Sequence, residues 1–339
     1  MKGLKRRAFA QLTGSALVAL PCMARATGGL DVTATPQAAH QMRVLLASGD
    51  FAAPAPLDGW HFAWDGRTYR GSYDLVALPD GRRGLVNVLP LDAYLYGVLS
   101  KEVAASWAPD AQRAQAIVSR TYALLKLRPA QPYDVVASVS DQVYGGIESE
   151  TVEGRAAVDA TSGTIVTYGA LPAHVAYSSC CGGRTADAGD VWNVPYPYLP
   201  SMPDPHCLDT PEFLWDAVFP HDSVAAAFGQ PFAAIGALRL VHLDTPSPDD
   251  RPRAVVFTGT AASFSTTPKN FRAALGARIV RSTFVRTAEL AGDALRVSGT
   301  GRGHGVGMCQ WGARVMADQG ASATDILAFY FPGTSLGTG

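Results

Sequence analysis

The sequence is short of charge, of cysteine and of long apolar runs, and these shortages exclude several classes of protein. Only 17% of its 339 residues are charged and the net charge is -1. With no basic patch or tail, nucleic acid is not an expected partner. After residues 1–26 no apolar run has the length needed to span a bilayer. The 47% of hydrophobic residues is nevertheless enough to bury a full core, so a globular protein is expected.

The N-terminus has the layout of a secretory signal over residues 1–26. A basic head is followed by an apolar run at residues 12–23 and by an Ala-x-Ala site, after which cleavage is expected. The pair Arg6 and Arg7 resembles a twin-arginine signal, which carries proteins across the membrane already folded. A lipid anchor on Cys22 is a weaker alternative, because a proline precedes that cysteine. We therefore expect an exported protein of the periplasm or cell wall.

Turn-forming residues are abundant, with 34 glycines and 23 prolines. This composition indicates a loop-rich α+β fold of mixed short strands instead of a helix bundle. After the signal we expect a β-rich N-terminal segment over residues 27–85 and a main domain over residues 86–339. In the first segment, Asp65 and Gly66 separate two strand-like runs and predict a hairpin.

A central helical pair is predicted at the start of the main domain, and its first helix carries an acid in an unexpected place. Leu91, Leu95 and Val98 recur at the spacing of a buried helical stripe, and Glu102 takes the next position on that stripe. Apolar surroundings favour the neutral form of a carboxyl group and raise its pKa. Glu102 is therefore a candidate general acid.

The second helix of the pair is expected to begin near Pro109 and to end near Lys126. Its arginines leave an alternative for Glu102, because an ion pair with Arg113 or Arg120 would give that acid a structural role. The residues predicted for the buried face of this helix are Ala114, Ile117, Val118 and Leu125.

A glycine-rich run at residues 299–313 precedes two expected terminal helices, at residues 313–318 and 322–331. The run lacks both the G-x-G-x-x-G spacing and a Gly-Lys-Ser/Thr sequence, so a phosphate loop is not expected. Its polar side chains, His304 and Gln310, stand on a tight glycine scaffold instead. The loop and the helices are expected to close a cleft, and the aromatic, irregular segment at residues 186–235 is interpreted as one of its walls.

The cysteines are few, five in all, and an exported protein places them in an oxidising compartment. Those that remain after removal of the signal are Cys180, Cys181, Cys207 and Cys309. We prefer a disulfide between Cys181 and Cys207, and no cofactor or metal is expected. A structural zinc is the second alternative. Its ligands would be His174, Cys180 or Cys181, His206 and Cys207. A thiol hydrolase that pairs Cys309 or Cys181 with a histidine is a distant third.

Three motifs together resemble the stage II sporulation protein D family, which includes amidase-enhancer relatives. They are the stretch from residue 89 through Glu102 to residue 124, the block at residues 177–185, and the end at residues 303–313. The resemblance extends from about residue 86 to the last residue. The chain departs from the family pattern at Cys309, where the family usually has serine, and at Cys180, a second cysteine beside the expected one.

The resemblance implies a peptidoglycan lytic transglycosylase with Glu102 as its catalytic residue. It also implies a set of residues that bind the glycan strand, namely Arg120, Tyr122, Gln142, Tyr144, Ser178, Ser179, His304 and Gln310. The alternative function is a non-catalytic peptidoglycan-binding protein that activates a separate cell-wall amidase. In both cases the expected partner is the glycan strand of peptidoglycan.

Overall fold

The strands and helices described below come from a computed structural model, which describes residues 40–339. The predicted signal at residues 1–26 lies outside the described residues. The strands are β1 Gln41–Ser48, β2 Ala55–Pro56, β3 His61–Trp64, β4 Arg67–Arg70, β5 Ser72–Ala77, β6 Arg83–Pro90, β7 Val135–Val136, β8 Thr164–Tyr168, β9 Leu171–Pro172, β10 Tyr177–Ser178, β11 Leu214–Pro220, β12 Leu238–Asp244, β13 Ala254–Gly259, β14 Ser263–Thr266, β15 Val285–Leu290, β16 Ala294–Thr300, β17 Met308–Cys309 and β18 Ser335–Thr338.

The α-helices of the same part of the chain are α1 Leu91–Glu102, α2 Pro109–Leu125, α3 Val152–Ala160, α4 Ala188–Trp192, α5 His221–Phe228, α6 Gln230–Ala233, α7 Pro268–Leu275, α8 Gln310–Asp318 and α9 Ala323–Tyr330. The expected mixed α and β fold is confirmed. Within residues 40–339 no helix combines the length and the apolar character that crossing a membrane requires.

Two of the N-terminal strands, β1 and β5, share a sheet with strands of the main domain, while β2, β3 and β4 form a sheet of their own. The predicted hairpin is present, because β3 and β4 pair antiparallel around Asp65 and Gly66. A larger sheet has the strand order β5-β6-β1-β7. The boundary predicted at residue 85 lies inside β6, which pairs with both β5 and β1. Residues 40–339 lie within a single compact unit.

Helix α1 has the buried stripe that its sequence predicts, with Leu95 and Val98 fully buried and Leu91 nearly so. Helix α2 lies between two hydrophobic cores. Its Ile117 contributes to a core formed with the C-terminal helices, and its Ala116 to a core formed with α1 and the larger sheet. The prediction that Leu125 is buried is wrong. It is 37% exposed, because it is the last residue of α2 and extends beyond both cores.

The motif at residues 177–185, which contains Cys180 and Cys181, and the glycine-rich run at residues 299–313 meet in a short parallel pair of strands. A longer strand is typical of the sequence at residues 174–179, but only β10 forms, and it pairs with β17 so that Ser178 lies opposite Cys309. The chain then turns, and Cys180 bridges to Arg302. A third core, built mainly from β11 to β16, packs separately. The pairing of β10 with β17 brings together motifs about 130 residues apart in the sequence.

Candidate functional site

A cavity of about 660 Å³ opens beside the C-terminal end of α1, and Glu102 is among the residues that line it. The acid is the last residue of that helix. The lining residues come from six separate parts of the chain. They are Lys101, Glu102, Tyr122, Val139, Ser140, Asp141, Val143, His174, Val175, Ala176, Tyr177, Trp192, Tyr196, Leu199 and His304.

The Glu102 carboxyl group is partly buried and interacts with two polar side chains, Tyr177 and Gln310. Burial raises its pKa above the ordinary value of 4.5, and interactions with the Tyr177 hydroxyl and the Gln310 amide act in the opposite direction. Burial is the largest of these effects, so the net change is upward. The negative end of the α1 dipole disfavours the carboxylate further. Gln310 reaches the acid with a long contact, 3.5 Å from its Nε2 to Oε2 of Glu102.

Tyr177 is held next to Glu102 by a chain of side-chain hydrogen bonds. Gln142 donates from Nε2 to the Tyr177 hydroxyl at 3.1 Å, and Tyr94 donates to Oε1 of Gln142 at 3.3 Å. Gln142 and Tyr94 are fully buried. The Tyr177 hydroxyl therefore accepts from Gln142, which leaves its own proton free to be donated to the Glu102 carboxylate.

Replacing Tyr177 by phenylalanine is expected to raise the pKa of Glu102 further, because the substitution removes a group that stabilises the carboxylate. The pKa is measured from the side-chain carboxyl carbon of labelled glutamate by NMR. The matched control is Tyr122→Phe, since Tyr122 also lines the cavity but its hydroxyl contacts Asp141. Equal shifts in the two variants would contradict the assigned hydrogen bond.

A second carboxylate, Asp141, lines the same cavity, but both of its oxygens are already engaged. Lys126 pairs with Oδ1 at 3.1 Å, and the Tyr122 hydroxyl donates to the same atom at 3.3 Å. The backbone N–H of Val136 donates to Oδ2 at 3.0 Å. Glu102 is the lining carboxyl group that combines burial with a raised pKa.

The imidazole of His304 is neutral and partly buried. Its Nδ1 accepts a hydrogen bond from the backbone N–H of Val306 at 3.0 Å, so that nitrogen carries no proton. Burial, with a smaller contribution from the positive charge of Arg251, lowers the pKa of His304 to about 4. The ring lies 5.1 Å from the ring of Trp192, across the cavity wall.

The imidazole of His304 is expected to titrate near pH 4, well below the ordinary value, because burial disfavours the imidazolium. The measurement is an NMR titration of its ring protons, assigned by comparison with His304→Gln. A midpoint above pH 6 would show that the imidazolium is solvated and would contradict the buried, neutral imidazole described above.

Aromatic side chains form one wall of the cavity. Trp192 and Tyr196 both line it, as does His174, which stacks on Tyr196 with 4.9 Å between ring centroids. Tyr198 does not line the cavity, but its ring packs on that of Tyr196, with 5.6 Å between the ring centroids. An open cavity with flat apolar surfaces and a few fixed polar groups is typical of a ligand-binding site.

The structure brings some of the predicted site residues together at the cavity and places others elsewhere. Glu102, Tyr122 and His304 line the cavity, and Gln310 contacts Glu102. Gln142 acts through Tyr177. Ser178 accepts the Gly305 N–H at 3.2 Å, and the Ser179 carbonyl accepts the Trp311 N–H at 3.0 Å. The serines therefore join β10 to the glycine-rich run.

Arg120 does not line the cavity. It is 2% exposed and pairs with Asp92, with 2.8 Å between Nε and Oδ1. Its remaining donors bind the carbonyl oxygens of Val158 and Thr164 and the Thr161 hydroxyl. The α2 face that carries Arg120 packs against α3 and β8, so this arginine joins three elements. The alternative ion pair of Arg120 with Glu102 is not formed.

Tyr144 is also buried away from the cavity, at 3% exposure, and it donates a hydrogen bond to Oδ1 of Asn87 at 2.9 Å. Its ring packs directly on the backbone of α1. A Cβ atom at Gly97 would lie 2.5 Å from this ring, so only glycine fits there. Tyr144 thus fixes the helix that presents Glu102, without reaching the cavity itself.

The predicted Cys181–Cys207 disulfide is not formed in the structure, where the two sulfur atoms lie 3.5 Å apart. Cys309 also points into this group, while His174 and His206, the histidines of the alternative zinc set, face aromatic rings. Cys181 and Cys309 are fully buried and do not line the cavity. This placement disfavours the thiol hydrolase alternative, because a nucleophile needs access to its substrate.

Sequence reasoning missed several residues that line the cavity, among them Tyr177, Asp141 and Lys101. Tyr177 directly precedes Ser178 within a matched motif, and Asp141 directly precedes Gln142. Adjacency to these two predicted site residues is a signal that could have identified both. The aromatic segment predicted as a cleft wall supplies Trp192 and Tyr196 to the cavity.

Comparison with known proteins places this architecture among relatives. The family described as Stage II sporulation protein matches residues 80–168. An uncharacterized protein of Brachyspira hyodysenteriae is 30% identical over 278 residues, covering 81% of this chain and 74% of the relative. The Amidase enhancer of Bacillus subtilis is 30% identical over 287 residues, which cover 71% of this chain but 40% of that relative. Stage II sporulation protein D of Bacillus subtilis is 27% identical over 271 residues, covering 74% of this chain and 75% of the relative.

The fold and the cavity define a mixed α and β protein in which a partly buried carboxyl group with a raised pKa, that of Glu102, stands in an aromatic-lined cavity. The chain belongs to the stage II sporulation protein D family. The resemblance found in the sequence motifs is thereby confirmed at the level of the family.

Proposed function

We propose that the protein is an exported peptidoglycan lytic transglycosylase that cleaves glycan strands with Glu102 as general acid and base. The observation that carries the proposal is the cavity itself. Its partly buried acid has a raised pKa, and the other lining carboxylate, Asp141, is held by three donors.

The state of Asp141 favours a reaction that needs a single free carboxyl group. Hydrolytic glycosidases use two, one as acid and one as base or nucleophile on the opposite side of the bond. Asp141 already accepts hydrogen bonds at both oxygens, so its use as base or nucleophile would first require breaking them. A lytic transglycosylase avoids this requirement, because the sugar supplies its own nucleophile.

The reaction then proceeds in two proton transfers at one residue. Protonated Glu102 gives its proton to the glycosidic oxygen as the bond to C1 of the muramic acid breaks. The C6 hydroxyl oxygen of the same sugar attacks C1, and the Glu102 carboxylate takes the hydroxyl proton. The products are a 1,6-anhydro-muramic end and a new free chain end, with no water consumed. Intramolecular attack lowers the entropic part of the barrier, and a raised pKa suits an acid that works near neutral pH.

The lining residues fit a glycan strand. The C–H faces of pyranose rings pack on aromatic rings, which Trp192 and Tyr196 provide. Lys101, next to the acid, offers a positive charge to the carboxylates that muramic acid and its stem peptide carry. Tyr122 and His304 add fixed polar groups to the same surface.

Product analysis tests the proposal. Purified protein is incubated with peptidoglycan sacculi, and with glycan strands stripped of stem peptides, and the soluble products are separated and identified by mass spectrometry. We expect products that end in anhydro-muramic acid. Reducing ends without anhydro sugars would show hydrolysis and would overturn the proposed reaction.

A second candidate function is a non-catalytic, glycan-binding activator of a cell-wall amidase, and the Amidase enhancer among the relatives favours it. The same cavity would then hold the strand without cutting it. The same product analysis distinguishes the two functions. No anhydro product from the protein alone, together with faster peptide release when a purified cell-wall amidase is added, would support the activator.

A further inference from the structure

Outside the cavity, four ligand-type side chains converge in the protein interior. They are Cys181, Asp204, Cys207 and Cys309, and their ligand atoms all lie within 4.8 Å of one another. All four residues are fully buried. They come from three distant parts of the chain, namely the turn after β10, a short 3-10 turn at Pro205–Cys207 with the aspartate before it, and the end of β17.

The spacing of these atoms approximates a coordination shell. The sulfur of Cys181 lies 3.5 Å from the sulfur of Cys207 and 3.0 Å from Oδ2 of Asp204. In a tetrahedral zinc site with Zn–S bonds of about 2.3 Å, neighbouring ligand atoms lie about 3.8 Å apart. The group therefore has the size and the ligand number of a closed, structural zinc site.

The electrostatics of Asp204 independently call for a cation. Its carboxylate is 0% exposed, and it accepts hydrogen bonds from the Cys181 thiol, the backbone N–H of His206 and the Tyr330 hydroxyl, all neutral groups. A buried carboxylate normally has a cationic partner or a metal. Arg251, a buried cation nearby, donates instead to the carbonyl oxygens of Cys181 and Arg184.

The surroundings provide the second shell that metal ligands use. Backbone N–H groups of Cys181 and Gly312 donate to the sulfur of Cys309, at 3.2 and 3.3 Å. The Tyr330 hydroxyl orients Asp204 at 2.9 Å. A Cβ at Gly312 would lie 2.0 Å from that hydroxyl, so this close packing requires glycine. Such outer hydrogen bonds hold ligands in place and stabilise thiolates.

We propose that Cys181, Asp204, Cys207 and Cys309 bind one zinc ion. Three thiolates and a carboxylate are a ligand set that suits zinc among the common metals. The ion would join the turn after β10 to the end of β17, and these strands carry or precede the two residues that contact Glu102, Tyr177 and Gln310. A bound ion would thus hold in place the two segments that bring Tyr177 and Gln310 to Glu102.

A zinc site explains the group better than the disulfide expected from the sequence. A Cys181–Cys207 bond would use two of the three sulfurs and leave the buried charge of Asp204 without a counter-ion. The twin-arginine signal expected at Arg6 and Arg7 would also export the protein folded. The thiols would then bind metal in the reducing cytoplasm, before they reach an oxidising compartment.

The first test is the metal content of the protein purified without chelator, measured by plasma mass spectrometry. We expect about one zinc per chain. Cobalt-loaded protein should show the visible absorption of tetrahedral Co²⁺ with thiolate charge-transfer bands, and chelation should lower the thermal unfolding midpoint because metal binding contributes folding free energy. These readouts do not depend on glycan cleavage, so failure of this proposal and failure of the proposed function are distinguishable.

Variants identify the ligands. Cys309→Ser and Asp204→Asn are each expected to lower zinc affinity by at least about tenfold, since even outer-shell changes have effects of that size. The discriminating variant is Cys180→Ser. The Cys180 sulfur lies 4.0 Å from the Thr210 hydroxyl and also interacts with Cys207 and Cys309, but it is not among the four ligand atoms that lie within 4.8 Å of one another, so this variant should keep the metal. Loss of zinc from Cys180→Ser with retention in Asp204→Asn would overturn the assignment of Asp204.

Intact mass analysis after thiol alkylation without reductant gives the opposing outcome. A metal-free wild-type chain in which two of these cysteines resist alkylation, and become reactive only after reduction, would establish a disulfide and overturn the zinc site. A purified protein that holds iron instead of zinc would overturn the choice of metal.

Discussion

Replacing Glu102 by glutamine is expected to lower the rate of glycan cleavage by about a hundredfold to ten-thousandfold, the range that general acid–base catalysis contributes. Glutamine keeps the size of the side chain but can neither give a proton to the glycosidic oxygen nor take one from the C6 hydroxyl. Release of anhydro-muropeptides is the quantity to measure. Binding of stripped glycan strands should change little, because the aromatic wall is untouched.

The matched control is Glu153→Gln, the same chemical change at an exposed position in the first turn of α3. It should cleave glycan at the wild-type rate. Full activity in Glu102→Gln, with intact folding, would remove Glu102 from the mechanism. If amidase activation survives in that variant while cleavage is absent from both proteins, the activator function is the better description.

Folding of Glu102→Gln has its own expected result, which follows from the raised pKa of Glu102. Below the ordinary pKa of 4.5 the acid is protonated in the folded and unfolded states, so its burial has no ionisation cost. As the pH rises through the folded pKa, the unfolded state ionises more readily and wild-type stability is lost. Glu102→Gln should therefore unfold at higher urea than wild type at pH 7, and the difference should close below pH 4.5.

Replacing Arg120 by methionine is expected to lower the free energy of unfolding by about 3 kcal/mol, near the lower end for breaking a buried ion pair. The substitution leaves Asp92, which is 29% exposed, without its cationic partner, and it removes one donor from each of the carbonyl oxygens of Val158 and Thr164. Urea unfolding at pH 7 measures the loss. Folded Arg120→Met at low temperature should still bind glycan, because Arg120 does not line the cavity.

Arg113→Met on the same helix is the control for Arg120→Met. Arg113 pairs with Asp110 at 3.3 Å, with side chains 42% and 37% exposed, and a surface pair of this kind contributes less than about 1 kcal/mol. The two variants remove the same atoms from different surroundings. Equal stability of both, with loss of glycan binding only in Arg120→Met, would restore the cleft role that family resemblance implies for Arg120.

The local structure around the site was largely predictable from the sequence. The stripe of α1 placed Glu102 on its buried side, Pro109 began α2, and the Asp65-Gly66 pair formed its hairpin. These features depend on residues within a few positions of one another, where periodicity and turn chemistry act. The failures have a different origin. Leu125 follows the stripe of α2, but it is the last residue of that helix and its side chain faces solvent.

Family resemblance indicates which segments form the site, but it does not say what each residue in them contacts. Arg120 and Gln142 belong to the matched motifs, yet one joins α2 to α3 and the other orients Tyr177. Conversely, Tyr177 and Asp141 line the cavity, although the sequence predicted only their neighbours, Ser178 and Gln142, as site residues. A motif shows that a position matters, whereas its neighbours in space determine whether it faces the cavity or the core.

The sequence by itself determined the family, the mixed α and β class, the helix that presents Glu102 and the few cysteines. Only the tertiary structure decided that both oxygens of Asp141 accept hydrogen bonds, that Arg120 is buried and paired with Asp92, and that Asp204 and Cys309 join Cys181 and Cys207 in one group. The physical reason is the range of the interactions. Periodicity and turn preferences act along the chain, whereas burial, ion pairing and ligand geometry arise between segments as distant as β10 and β17, which pair 131 residues apart.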